Sequence, residues 1–352
     1  MIVVFSMMAV LWGIGVAMGA PRQARWTMIG LLLVAVLMVQ VVLPDGHPLR
    51  EATGGSPAIW LLLAGFAAVI WLYRAGLRRV RQRAEAVQGT AAETEEPGRF
   101  GEVELSRYAR HVVLREIGGP GQKRLKEARV LVVGAGGLGS PALLYLAAAG
   151  VGTIGVIDGD EVEGTNLQRQ VIHADARIGM PKVFSAEAAM RGINPFITVR
   201  PYNRRLTEDI AEELLAEYDL VLDGSDNFET RYLVNRAAAA RGVPVVGAAL
   251  TQWEGQISVW DPARGAPCYA CIFPEAPDPA LAPDCAEAGV LGPLPGVLGT
   301  MMAVETVKLV TGAGESLRGR MLIYDALYAE TRSIALKRRE DCPVCGGLPK
   351  DA

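Results

Sequence analysis

From Val130 the chain reads Val130-Leu131-Val132-Val133-Gly134-Ala135-Gly136-Gly137-Leu138-Gly139, an apolar strand running into a glycine turn and then a helix with Leu143, Leu144 and Leu146 on one face. Backbone N–H groups at such a helix N-terminus are free to meet a phosphate. Gly134, Gly136, Gly137, Leu138 and Gly139 are therefore candidate nucleotide contacts. Asp158 ends the next apolar run, Gly155-Val156-Ile157, where an acid about 20 residues on holds a ribose hydroxyl. A dinucleotide site needs no more than this. Here, however, Asn166, Arg169 and Lys182 follow, an amide and two cations. Cations at that place suit a triphosphate that is to be cleaved, rather than a cofactor that is only held.

A second chemistry lies in the five cysteines, Cys268, Cys271, Cys285, Cys342 and Cys345. Cys268/Cys271 and Cys342/Cys345 are two Cys-x-x-Cys pairs of equal spacing, far apart in sequence. They read as a four-thiolate zinc site in preference to a redox pair or disulfides. Four thiolates leave no open position, so the expected role is structural, tying the C-terminus to the body. Cys285 is left over, inside a proline-rich stretch (274–295) that reads as a loop. No histidine stands near it in sequence to lower its pKa. The three histidines, His47, His111 and His173, have no metal-ligand spacing.

The elements that must position these residues alternate from about residue 103. Strands are expected at 129–134, 153–158, 197–201, 219–223 and 243–247, and helices at 138–149, 182–192, 207–217 and 229–241. Such alternation predicts an α/β fold, Rossmann-like, with a mostly parallel sheet. The tail breaks the rhythm, with strands at 255–260, 320–325 and 330–337 that are expected to extend the sheet antiparallel, and a helix at 297–311.

The front of the chain is different. Residues 1–21 carry no charge, Trp26 to Leu43 is a second uncharged run, and Ala58 to Tyr73 a third. Each is near the length that crosses a ~30 Å hydrocarbon core, with Trp26, Trp60, Trp71 and Tyr73 near run ends as aromatic belts have them. Residues 1–77 are thus expected to form an all-α transmembrane segment of about three helices. A signal peptide is disfavoured, since nothing basic precedes Arg22. Arg22 and Arg25 follow the first run, and Arg74, Arg78, Arg79, Arg81 and Arg83 the third, whereas the 44–57 loop sets one arginine against two acids. The positive-inside rule then puts the N-terminus outside and everything after residue 74 in the cytoplasm. The expected location is a multi-pass protein of the inner (cytoplasmic) membrane, with residues 78–102 as cytoplasmic linker and 103–348 as the catalytic domain. A net charge of −3 argues against a nucleic-acid partner, which would need a basic face.

Residues 104–346 resemble the MoeB/ThiF family (HesA/MoeB/ThiF) of adenylyltransferases, relatives of the ubiquitin-activating enzymes. The matching stretches are Arg107-Tyr108-Ala109-Arg110, the glycine turn 134–139, Asp158-Gly159-Asp160, Asn166-Leu167-Gln168-Arg169-Gln170, Pro181-Lys182, Asp223-Gly224-Ser225-Asp226-Asn227 and the paired Cys-x-x-Cys motifs. The resemblance implies ATP-dependent adenylylation of the C-terminal carboxylate of a ubiquitin-like sulfur carrier (MoaD/ThiS-like) ending in Gly-Gly. Pyrophosphate leaves, in molybdopterin- or thiamine-type sulfur transfer. By the same resemblance Arg169 and Lys182 neutralise the phosphates, Asn166 helps to fix them, Asp158 holds the ribose and Asp226 is linked to Mg²⁺. Asp160 and Asn227 belong to the nucleotide site by their places in these motifs. Arg110 corresponds to an arginine that reaches a partner subunit's nucleotide, which implies a homodimer. Cys285 corresponds to a position where a cysteine can bond the carrier or its sulfur, against the plain alternative of an incidental thiol. Singly, Arg110 reads as an ordinary helix face and Lys182 as a helix N-terminal lysine; their co-occurrence in register favours the functional reading.

Two rivals stand beside this. An NAD-dependent oxidoreductase would use the same glycine turn but gives Arg169 and Lys182 nothing to do. A non-catalytic membrane adaptor for a ubiquitin-like protein is expected to have lost a phosphate-handling residue, and none is missing. No rhodanese-like stretch follows residue 346, so the sulfur itself is expected from elsewhere.

Overall fold

The computed structural model describes residues 2–92, 100–276 and 289–348. They fall into two compact units, Met1–Glu93 and Thr94–Ala352.

The first unit is helical throughout: α1 (Ile2–Ala17), α2 (Arg22–Val42), the short α3 (Pro48–Thr53) and α4 (Pro57–Ala92). With 21 and 36 residues, α2 and α4 exceed the roughly 20 that a hydrocarbon layer asks of a helix, while α1 has 16. Leu31, Val41, Leu62 and Phe66 are among many large apolar side chains left exposed, and among the described residues Ile29 and a small cluster of Val4, Val36 and Trp60 are the buried ones. The polar loop between α2 and α4 is knitted to the helix ends. Gln40 donates to the Arg50 carbonyl and to Thr53 Oγ1, and Trp60 Nε1 donates to the Thr53 carbonyl. Residues 78–92, expected as linker, continue α4; their Arg, Gln, Ala and Glu are good helix formers.

The second unit opens with α5 (Glu102–Arg107), α6 (Ala109–Val112) and α7 (Gly118–Glu127). Then follow β1 (Arg129–Val133), α8 (Gly139–Ala149), β2 (Thr153–Ile157), α9 (Lys182–Ile193), β3 (Thr198–Tyr202), α10 (Glu208–Leu215), β4 (Leu220–Asp223), α11 (Phe228–Arg241) and β5 (Val245–Leu250). The tail is β6 (Glu254–Trp260), α12 (Tyr269–Ile272), α13 (Pro293–Thr311), β7 (Arg320–Asp325) and β8 (Glu330–Ala335). One eight-stranded sheet runs β3-β2-β1-β4-β5-β6-β7-β8. Its first five strands are parallel and the last three antiparallel, as the change of rhythm in the tail predicts. Strand alternation divides the core. Val130 and Val132 of β1 join the layer under α8, α9 and α13, and Leu131 and Val133 join the one under α10 and α11. α13 starts four residues before the expected 297. Pro293 and Pro295 occupy its first turn, where the missing N–H groups are orphans in any case.

His173, which carries no metal spacing, has a structural task. It is 8% exposed, and its Nε2 lies 2.9 Å from the Ala135 carbonyl of the glycine turn, its Nδ1 2.9 Å from Ser185 Oγ on α9. A carbonyl only accepts, so Nε2 carries the proton and Nδ1 accepts from the serine. Burial pushes the imidazole pKa below its ordinary value, and the Lys182 and Arg177 charges add to this, while the Ala135 bond opposes it. A folded pKa below the unfolded one means stability that is present above about pH 6.5 and lost as the pH falls from there through the lower folded pKa. The unfolding free energy of His173→Gln should accordingly depend less on pH than that of the wild type. Below pH 6.5 the gap between the two should close at up to about 1.4 kcal/mol per unit, read by denaturant titrations at a series of pH values.

Candidate functional site

The parallel strands order as 3-2-1-4-5, so the chain's direction of winding reverses beside β1 and opens a crevice at the carboxyl ends of the strands. The cleft there measures about 1910 Å³, well above the ~300–1,000 Å³ of a small-molecule pocket, which leaves room for a second reactant beside a nucleotide. Its floor is the β1–α8 turn. Gly134 has φ +92, and a Cβ on it would stand 3.1 Å from the Gly224 carbonyl oxygen. A Cβ on Gly139 would stand 1.9 Å from the Gly134 carbonyl oxygen, so no other residue lets the helix start this close to the strand. Gly134, Gly136, Gly137 and Leu138 line the cleft, and Gly139 is not among the lining residues.

Asp158, at the end of β2, is half-buried. Its Oδ2 accepts from the Ala135 N–H and its Oδ1 from the Asp160 N–H, each at 2.8 Å. Burial pushes its carboxyl pKa up, against the pull of Lys182 and of those two donors. A carboxylate offers about four acceptor positions, so the two bonds leave capacity for a hydroxyl. Asp160 binds Lys182 from two sides: its carbonyl accepts the Lys182 N–H, and its Oδ2 the Nζ, both at 2.9 Å. The Lys182 side chain is only 7% exposed. Arg205 reaches Asp160 Oδ1 at 4.0 Å from the solvent side. Arg169 donates to Asn166 Oδ1 at 3.1 Å, and of these two Arg169 lines the cleft.

The opposite wall is the β4–α11 turn. Buried Asp223 accepts from both the N–H and the hydroxyl of Ser225, at 3.0 and 2.6 Å, and so caps the strand end. Asp226 is exposed on the cleft wall. Asn227 also lines the cleft, with its amide oxygen accepting the Thr230 N–H at 2.9 Å as the N-cap of α11.

Asp158, Asp160, Arg169, Lys182, Asp226 and Asn227 thus border one space. Arg110 is exposed on α6 and does not line it. Cys285 lies outside the described residues. Two contributors are given no role by the sequence, although Gln170 closes the Asn166–Gln170 stretch. Gln170 is 5% exposed, lines the cleft and keeps its Oε1 without a partner among the described residues, an acceptor waiting for a donor. Arg231 reaches the Ser225 carbonyl at 2.7 Å from α11. Only its spacing of four from Asn227 could have marked it.

The four paired cysteines converge. All are buried, and their sulfurs lie within 4.8 Å of one another, with Cys268–Cys271 at 3.8 Å, Cys268–Cys342 at 3.6 Å and Cys271–Cys345 at 3.4 Å. A zinc tetrahedron with ~2.3 Å bonds has sulfur–sulfur edges of about 3.8 Å, whereas a disulfide needs ~2.05 Å. Two N–H groups serve the sulfurs, Asn235 Nδ2 to Cys268 at 3.8 Å and the Arg339 backbone to Cys271 at 3.5 Å. Burial pushes the Cys268 thiol up, and Cys345 up to about 11. Burial also presses on Cys342, yet the N–H groups of Cys345 and Val344 hold it at about 7. A dication reverses the burial cost for all four thiolates at once. Arg338 fastens the knuckle by donating to the Cys345 and Leu348 carbonyls.

Comparison with known proteins agrees with this geometry. The ThiF family model matches residues 108–344. The SAMP-activating enzyme E1 of Haloferax volcanii is 49% identical over 243 residues, 69% of this chain and 89% of that one. The sulfur carrier protein adenylyltransferase of Thermus thermophilus is 48% identical over 255 residues, 71% of this chain and 94% of that one. Among solved structures, E. coli MccB with AMPCPP and MccA superimposes with a TM-score of 0.61 at 22% identity, over 69% of this chain and 75% of that one, a likeness of fold. With the family model covering most of the second unit and both relatives spanned over nearly their whole lengths, the chain is a member of the ThiF family.

Proposed function

We propose that the protein joins AMP to the C-terminal glycine carboxylate of a ubiquitin-like sulfur-carrier protein and releases pyrophosphate, for molybdopterin- or thiamine-type sulfur transfer. The observation that carries this is the meeting, in one cleft, of the glycine turn, a ribose-type acid and two cations, one of them buried. The names of the Haloferax and Thermus relatives support the carrier.

A carboxylate oxygen attacks the α-phosphorus, the bond from that phosphorus to the bridging oxygen of the β-phosphate breaks, and its electron pair leaves with pyrophosphate. The carrier keeps the AMP as a mixed anhydride. Two anions must approach each other, so the residues have mainly to supply positive charge and alignment. Lys182 and Arg169 neutralise the triphosphate, Asp158 takes the ribose, and the N–H groups at the start of α8 meet phosphate oxygens. Exposed Asp226 is the oxygen ligand suited to magnesium, which would offset the charge of the phosphates. A Gly-Gly tail reaches the α-phosphate because it threads without side chains. Zinc in the four-cysteine cluster staples the C-terminal knuckle. Arg110, outside its own chain's cleft, serves the nucleotide of a second subunit in a homodimer. The exposed apolar helices of residues 1–77 embed the protein in the inner membrane, N-terminus outside and the catalytic unit in the cytoplasm.

Purified protein should catalyse ATP–pyrophosphate exchange that depends on one Gly-Gly-ended small protein. Lys182→Ala and Arg169→Ala should each lower the rate about 10²–10³-fold. Exchange with no carrier at all, or undiminished in both variants, would overturn the assignment. For the topology, Ser56→Cys should react with a membrane-impermeant thiol reagent in intact cells; labelling only after lysis would reverse the orientation.

A further inference from the structure

α11 carries Asn227, Arg231 and Asn235 at intervals of four, so all three stand on one helix face. Asn227 caps the helix at the cleft and Arg231 holds the Ser225 carbonyl beside it. Asn235, two turns deeper and 5% exposed, meets the cysteine cluster. Its Oδ1 accepts the Tyr269 N–H at 2.8 Å, and its Nδ2 donates to Cys268 Sγ at 3.8 Å. One buried amide therefore spans a ligand sulfur and the residue that follows it. That residue belongs to the cleft. Tyr269 lines it together with Phe273, its ring wedged 5.3 Å from Tyr232, 5.6 Å from Trp260 and 4.8 Å from Phe273. Tyr232 in turn donates its hydroxyl to the Phe273 carbonyl at 2.9 Å. Short α12, which holds Cys271, is thus also a piece of cleft wall.

We propose that Asn235 is a positioning residue that couples the metal state of the cysteine cluster to the shape of the nucleotide cleft. Its N–H orients the Cys268 thiolate and offsets its charge, its carbonyl fixes the backbone of Tyr269, and metal occupancy thereby sets nucleotide affinity. This rests on the reading of the cleft as an ATP site. Groups that hydrogen-bond a metal ligand are worth about 10–100-fold in metal affinity.

Asn235→Asp separates the two tasks. It keeps an acceptor for the Tyr269 N–H but sets a carboxylate oxygen against the sulfur. Asn235→Leu removes both partners. In the zinc-loaded full-length protein, zinc capture by excess chelator gives the release rate, and titration with a non-hydrolysable ATP analogue, before and after stripping, gives the affinity. Asn235→Asp should lose zinc about 10–100-fold faster than wild type, and stripped wild type should bind the analogue more weakly than loaded wild type. Wild-type zinc retention in Asn235→Asp would overturn the positioning role, whatever becomes of Asn235→Leu. Equal analogue affinity with and without zinc would overturn the coupling. Neither readout needs a carrier, so a failure of pyrophosphate exchange in loaded wild type would count against the proposed reaction alone.

Discussion

A buried ammonium group is the constraint from which the site follows. Lys182 is 5% exposed, and an unpaired charge at such depth costs several kcal/mol. Asp160 makes its presence tolerable, and Asp160 can do so only because the β2 end and the α9 start are held together through Asp158, the glycine turn and His173. The cation is therefore in place before any substrate arrives. Preorganised charge of this kind needs no rearrangement during reaction, which is what makes it effective against the repulsion between two anions.

The two walls of the cleft are built on different principles. At the β1–α8 turn, close backbone approach at Gly134 and Gly139 leaves no room for a side chain. On the β4–α11 side, polar side chains do the holding: Asp223 on Ser225, Arg231 on the Ser225 carbonyl and Asn227 on the helix start. The first wall suits the fixed parts of a nucleotide. The second leaves Asp226 exposed beside an ample cavity.

Much of this was legible in the sequence because backbone constraints leave periodic traces. The alternation of apolar runs located all eight strands and placed the glycine turn between β1 and α8, and the equal Cys-x-x-Cys spacings brought four sulfurs together. Nothing in the sequence gives Gln170, His173 or Asn235 its role. Each is a polar residue inside an otherwise apolar neighbourhood, and what it does depends on groups such as Ala135, Ser185 and Tyr269 that only folding brings near. The start of α13 was misjudged for a different reason. Pro293 and Pro295 read as loop by composition, although the first turn of a helix accepts them. Arg110 is exposed on α6 and does not line the cleft.

α13 is a helix whose length and composition are at odds with its place in the fold. Its 19 residues, Pro293–Thr311, are apolar and long enough to cross a membrane, yet half of that stretch is buried in the domain against the sheet and α8. In a chain delivered to a bilayer by its first helices, the insertion machinery would sample this segment as well. Glu305 and Lys308, an ion pair with Glu305 also accepting the Leu317 N–H, are its two charges. A charge near the middle of a spanning helix costs about 3 kcal/mol. The pair that docks α13 onto its loop would, were this segment ever to meet a bilayer, also count against its entering the lipid.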